Sequence, residues 1–175
     1  MSTPRDLFRL NVGFFIHENV GYTRDIPFDV PTVHLPPDLQ LHNFLGVVRV
    51  TRAAQGILIQ NRMRADITAE CVRCLTQFLQ PLEIDFTELY AFNRSSVTES
   101  GLLVPENGKI DLEPFIREEM ILAIPIGPLC SENCKGLCPI CGGDLNESSC
   151  SHDELPVDPR LSVLKTLLSG EENAS

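Results

Sequence analysis

Within 175 residues, 14 Lys and Arg stand against 24 Asp and Glu, a formal net charge of −10. That balance excludes a general nucleic-acid coat, which works by neutralising phosphates with Lys and Arg, and leaves room only for a local basic face. Hydrophobic residues at 43% and charged residues at 22% describe a globular domain with a core, and no stretch nears the roughly 18 apolar residues of a membrane helix.

The first residues carry charges at Arg5, Asp6 and Arg9 and do not read as a secretory signal, so the expected setting is a reducing compartment, the cytosol or an organelle interior, with the cytoplasm preferred. There the seven cysteines are expected as metal ligands rather than disulfides. "LFRLNVGFF" reads as a strand. "DIPFDVPTVHLPPDLQLH" holds four prolines and reads as extended or looped chain.

Residues 44–92 read as antiparallel strands. "FLGVVRVTRA" and "GILIQNRMRADITAE" flank a turn at Gln55-Gly56. In the second run Ile57, Ile59, Met63, Ala65 and Ile67 share one face. Leu58, Gln60, Arg62, Arg64, Asp66 and Thr68 share the other. That period of two is the mark of a half-buried strand. After "CVRC" the alternation resumes, with Phe78, Leu82, Ile84 and Phe86 inward. Three adjacent strands with one wet face predict a curved antiparallel sheet or partial barrel.

Residues 93–108 read as a polar loop. In "KIDLEPFIREEMILAIP" a helix is expected near 111–124, with Asp111 as N-cap, Pro114 in the first turn, and Ile116, Met120 and Ile124 on the packed side. Pro125 ends it. "DPRLSVLKTLL" predicts a second helix behind Asp158 and Pro159. The whole reads as an α+β fold in three parts: 1–128, mainly β with one packed helix; 129–155, a Cys-rich zinc-knuckle region; and 156–175, a C-terminal helix and tail.

Eight candidate ligands form four pairs: Cys71 with Cys74, Cys130 with Cys134, Cys138 with Cys141, and Cys150 with His152. Zinc takes four soft ligands in a tetrahedron, so eight make two structural sites. Two residues between cysteines let one tight turn aim both sulfurs at one ion, and in "CPICGG" Gly142 and Gly143 permit the positive φ such a turn needs. The short loop from Cys141 to Cys150 closes at small entropic cost. The preferred assignment therefore joins Cys138, Cys141, Cys150 and His152, leaving Cys71, Cys74, Cys130 and Cys134 for the second ion. The rival assignment puts Cys130, Cys134, Cys138 and Cys141 on one ion. With every position filled neither ion keeps a place for water, so no catalytic zinc is expected. A redox Cys-x2-Cys belongs at a helix N-terminus, whereas "CVRC" lies between strands. His17, His34 and His42 stand alone and read as surface or packing residues.

The basic residues are uneven. Arg49, Arg52, Arg62, Arg64 and Arg73 face only Asp66 and Glu70 within residues 45–75, a local net of +3. Arg62 and Arg64 share the polar face of one strand, Arg49 is placed beside them, and Arg73 lies inside the "CVRC" loop. Such a face can engage RNA phosphates. Cross-strand ion pairing on a solvated face is the competing reading.

"AECVRCLTQFLQPLEIDFTELY", "KIDLEPFIREEMILAIPIGPLCSENCKGLCPICGGDLN" and "DPRLSVLKTLL" together resemble the YceD-like family of bacteria and plastids, the large ribosomal RNA subunit accumulation proteins. The similarity covers roughly residues 44–168. It implies a non-enzymatic role in accumulation or maturation of large-subunit ribosomal RNA, with that RNA or a pre-ribosomal particle as partner and neither a small-molecule substrate nor a membrane involved. An acidic adaptor that binds a basic ribosomal protein is the alternative. Members differ in cysteine content, and the family's final Cys-x-Cys stands here as Cys150-Ser151-His152, a departure that bears on His152 as a ligand.

Overall fold

The structure is a computed structural model describing residues 7–152, and the helix and tail expected over 156–175 lie outside the described residues. The chain divides into two compact units between Cys134 and Lys135. In the first, a four-stranded antiparallel sheet runs in chain order through β2 (Thr23–Leu35), β3 (Leu39–Arg52), β4 (Gly56–Glu70) and β5 (Gln77–Ala91). A two-stranded antiparallel sheet pairs β1 (Arg9–Asn11) with β6 (Lys109–Asp111). An α-helix, α1 (Glu113–Leu122), follows. Antiparallel sheets with this helix make an α+β unit. No helix among the described residues is long and apolar enough to cross a membrane.

Alternation places the core. Ile57, Ile59, Met63 and Ala65 of β4 are buried, as are Leu82 and Ile84 of β5 and Phe44, Val48 and Val50 of β3. Phe8 stacks on Phe28 and meets Phe44 edge-on, with ring centroids 5.8 and 5.4 Å apart, an arrangement that adds to their burial. α1 buries Ile116 and Met120 against this cluster. Asn61 interrupts the apolar face of β4 at 1% exposure.

The sheet has one more long strand than the sequence reading counted. The Pro-rich stretch expected as extended or looped chain forms β2, thirteen residues including Pro27 and Pro31. A proline supplies no N–H to a ladder, but β2 is the edge of its sheet and needs only one bonded side. β3 also starts earlier than expected, at Leu39. A register shift between His42 and Leu45, with Asn43 at φ 51°, re-aims it beside β4. Within "LFRLNVGFF" only Arg9–Asn11 is strand, and Gly13–His17 turns as a short 3-10 helix.

The helix is shorter than the expected span. Asp111 ends β6, Leu112 is the N-cap, and the Asp111 carboxylate accepts a hydrogen bond from the Glu113 N–H at 3.0 Å. Asp111 thus satisfies a first-turn donor from one residue further back than a standard cap. Ile124 lies beyond the helix end, half-buried against the core.

Candidate metal centres

Two groups of four ligands form, Cys71, Cys74, Cys130 and Cys134 in the first and Cys138, Cys141, Cys150 and His152 in the second, each with all its ligand atoms within 4.8 Å of one another. Of the two groupings open to the sequence, this is the one that joins the hairpin turn after β4 to the segment after α1.

The first group rests on the β4–β5 turn. The Leu75 N–H donates to the Cys71 carbonyl at 2.9 Å and the Cys71 N–H to the Thr76 carbonyl at 3.0 Å, which curls "CVRC" so that both sulfurs turn inward. Leu75 takes φ 59° to close the curl. The other two ligands come from the turn 130–134, where the Cys134 N–H donates to the Ser131 carbonyl at 3.0 Å. One backbone bond and one side-chain bond lock the halves together. The Val72 N–H donates to the Pro128 carbonyl at 3.0 Å, and Arg73 Nη1 donates to the Cys134 carbonyl at 2.8 Å. Sulfur separations are 3.8 Å for Cys71–Cys134 and 3.5 Å for Cys74–Cys130. Zn–S bonds of about 2.3 Å at tetrahedral corners put sulfurs about 3.8 Å apart, so the donor set fits that ion.

Proton sharing points the same way. The backbone N–H of Cys130, with those of Cys74 and Arg73, pulls the Cys71 thiol down to about 6 against the opposing effect of burial. Cys130 is pushed up to about 12, first by its contact with the Cys74 thiol and then by burial and its other sulfur neighbours. Four thiols this close cannot all ionise without a cation among them, and a dication removes that conflict.

The second group is built within one short loop. The Cys138 N–H donates to the Gly143 carbonyl at 2.8 Å and the Gly142 N–H to the Cys138 carbonyl at 2.9 Å. Gly142 takes the expected positive φ, 72°, but Gly143 does not, and a Cβ there would meet the Cys141 and Cys150 sulfurs only at ordinary contact distances of 3.4 and 3.8 Å, so the turn requires glycine at 142 alone. The Cys141 and Cys150 sulfurs are 3.5 Å apart. Amides of Cys141 and Ile140 pull the Cys138 thiol down, and the Cys141 thiol, with burial, pushes Cys150 up to about 11. Asp144 Oδ1 accepts from the Asn146 N–H at 2.8 Å, and Asn146 Oδ1 accepts from the Lys135 N–H at 2.8 Å, tying the loop to its own base. His17, His34 and His42 belong to neither group.

The candidate RNA-facing arginines lie elsewhere. Arg49, Arg62 and Arg64 project from β3 and β4 on the exposed face of the sheet, as the alternation predicts. Pairing across strands surrounds them with acids. Arg49 makes a two-pronged contact with Asp25 of β2 at 2.8 and 2.9 Å, and Arg62 reaches Asp85 of β5 at 3.0 Å. Arg64 stands across from Glu83 and makes no ion pair among the described residues. Between these side chains runs a shallow groove of about 410 Å³, floored by backbone at Gly46, Met63 and Ile84 and walled on one side by Leu45 and Val47. The ion pairs of Arg49 and Arg62 agree with the competing reading of cross-strand pairing on a solvated face, while the apolar wall of Leu45 and Val47 is an addition of the structure. Arg73 is apart from this face, bonded beside the first cysteine group.

Comparison with known proteins agrees with the motif reading. The family model described as large ribosomal RNA subunit accumulation protein YceD matches residues 59–168. An uncharacterized protein of Mycobacterium tuberculosis strain H37Rv is 33% identical over 132 residues, covering 72% of this chain and 62% of its own length. The uncharacterized protein YlbN of Bacillus subtilis strain 168 is 33% identical over 106 residues, 59% of this chain and 62% of its own. The large ribosomal RNA subunit accumulation protein YceD of Haemophilus influenzae strain Rd is 29% identical over 85 residues, 45% of this chain and 49% of its own. The chain therefore spans less than two-thirds of the length of these relatives. No solved structure matches it. With a family model covering well over half of its residues, the motifs above all inside or beside that span, the chain belongs to the YceD family of large ribosomal RNA subunit accumulation proteins.

Proposed function

We propose that this protein is a non-enzymatic factor in the accumulation or maturation of large-subunit ribosomal RNA, held in shape by two structural zinc ions and acting in the cytoplasm. The observation that carries the ribosomal RNA reading is the family match over residues 59–168, and the two four-ligand sets, each with its ligand atoms within 4.8 Å, support the structural zinc. A four-coordinate ion in such a set has no position for a water or substrate, so its contribution is mechanical.

Arg49, Arg62 and Arg64 are the groups to engage a pre-ribosomal particle. They are exposed, and the carboxylates beside Arg49 and Arg62 make weak, screened pairs that a phosphate can replace. The same carboxylates discriminate against loose RNA, because any strand without matching geometry meets as much repulsion as attraction. The test is co-sedimentation with ribosomal particles from cells carrying Arg62→Glu with Arg64→Glu. Loss of association is expected, and unchanged association removes the RNA-face reading.

A second reading has a specific observation behind it. Asp25, Asp29, Asp66, Glu83 and Asp85 on this face outnumber the three arginines. A basic ribosomal protein fits that surplus. Tight binding to such a protein with weak binding to ribosomal RNA fragments, and loss of the former in Glu83→Lys with Asp85→Lys, favours the adaptor.

A further inference from the structure

The two cysteine groups differ in access and in span. In the first, Cys71, Cys74 and Cys134 are 0%, 6% and 4% exposed, and only Cys130 faces water. Its ligands staple chain positions 56 and 63 residues apart, and Arg73 and Val72 bond the two halves independently of any ion. In the second, only Cys138 is buried. Cys141 and His152 are exposed, Cys150 is half-buried, and Cys141 and Cys150 are nine residues apart. Release of an ion there loosens one loop.

We propose that Cys141 and Cys150 are a modification site, a thiol pair that a hydroperoxide oxidises to a disulfide with release of the second ion, while the first ion stays. This rests on the zinc reading above. Reactivity toward peroxide follows thiolate character and exposure, and a zinc-bound sulfur is a thiolate. The exposed Cys141 sulfur attacks one peroxide oxygen, breaking the O–O bond to give a sulfenic acid and a hydroxide or alkoxide. The Cys150 thiolate then attacks that sulfur, forming the S–S bond and expelling the second hydroxide. The two sulfurs lose two electrons in all, the peroxide gains them, and solvent protons neutralise the leaving oxygens. A gap of 3.5 Å must close to about 2.05 Å, within the play of a glycine-bearing loop. Cys138 and His152 alone hold the ion too weakly to keep it.

The experiment uses the full chain purified under reducing conditions with its own metal. Metal content is measured first. The sample is then titrated with hydrogen peroxide, with released zinc read by a chromogenic chelator and disulfides mapped by mass spectrometry. One ion of two is expected to leave at least about tenfold faster than the other, with a Cys141–Cys150 disulfide and recovery on adding reductant and zinc. Cys141→Ser is expected to keep the first ion and form no such disulfide. Two ions lost together, the first lost before the second, or a disulfide through Cys130 overturns this proposal and leaves the zinc reading standing. A sample without metal overturns both.

Discussion

The sulfur of Cys74 lies 3.5 Å from that of Cys130, although 56 residues separate them in the chain. Through this contact the hairpin turn after β4 is tied to the segment after α1, and a metal there closes a loop containing β5, β6 and the helix.

Loss of a ligand should therefore hurt unequally. Cys74→Ser is expected to lower stability by several kcal/mol, on the order of 3 or more, because a structural ion's binding energy is folding energy. Cys150→Ser, whose loop is local, is expected to leave the melting temperature of the sheet nearly unchanged. Thermal melts in excess zinc compare the two, and equal losses would mean that the first group does not staple the fold.

Affinity for zinc should rise with pH. In the metal-free chain the Cys71 thiol is drawn below its ordinary value, to about 6, by the amides around it, so that group adds stability above its unfolded value near 9 and loses it as pH falls through about 6. Cys130, pushed up to about 12, does the opposite: it adds stability below about 9 and loses it as pH rises toward 12. A metal ion takes both sulfurs as thiolates, so binding near neutral pH displaces a proton from Cys130 and none from Cys71. Calorimetric titration in buffers of differing ionisation enthalpy should find proton release that grows as pH is lowered. A pH-independent affinity between 6 and 9 contradicts the assignment.

Asn61 is an opportunity for stabilisation. It is 1% exposed between Ile59 and Met63, and neither its amide oxygen nor its nitrogen has a hydrogen-bond partner among the described residues. Burying an unpaired amide costs about 1–3 kcal/mol, so Asn61→Leu, which keeps the branching of the side chain but enlarges it, should stabilise in urea unfolding by up to about that amount less the cost of the added volume. Destabilisation of both Asn61→Leu and the smaller Asn61→Val would mean that the amide is satisfied in solution.

Leu75 sits where the second knuckle has Gly142, directly after the second cysteine, and both take positive φ, 59° and 72°. Leucine pays a steric penalty there that glycine does not. Leu75→Gly should keep the metal content and raise stability by up to about 1 kcal/mol, since the side chain is 56% exposed and surrenders little packing. A fall in metal occupancy would show instead that the leucine supports the site.

Local features were legible from the chain alone. The cysteine spacings, Gly142 behind "CPIC" and the two-residue alternation of β4 all act within a few residues, so one segment carries the whole signal. That is why both ligand sets and the arginine-bearing face could be named in advance. What required the tertiary structure was register. Pairing of β2 with β3 puts Asp25 against Arg49, and pairing of β4 with β5 puts Asp85 against Arg62, so a stretch that is basic in sequence becomes a face of mixed charge in space. Strand pairing is set by burying the inner face of all four strands at once, a condition that no single segment contains. The same holds for β2, whose prolines leave extended and looped chain equally open until its place at the sheet edge removes the need for their missing N–H groups.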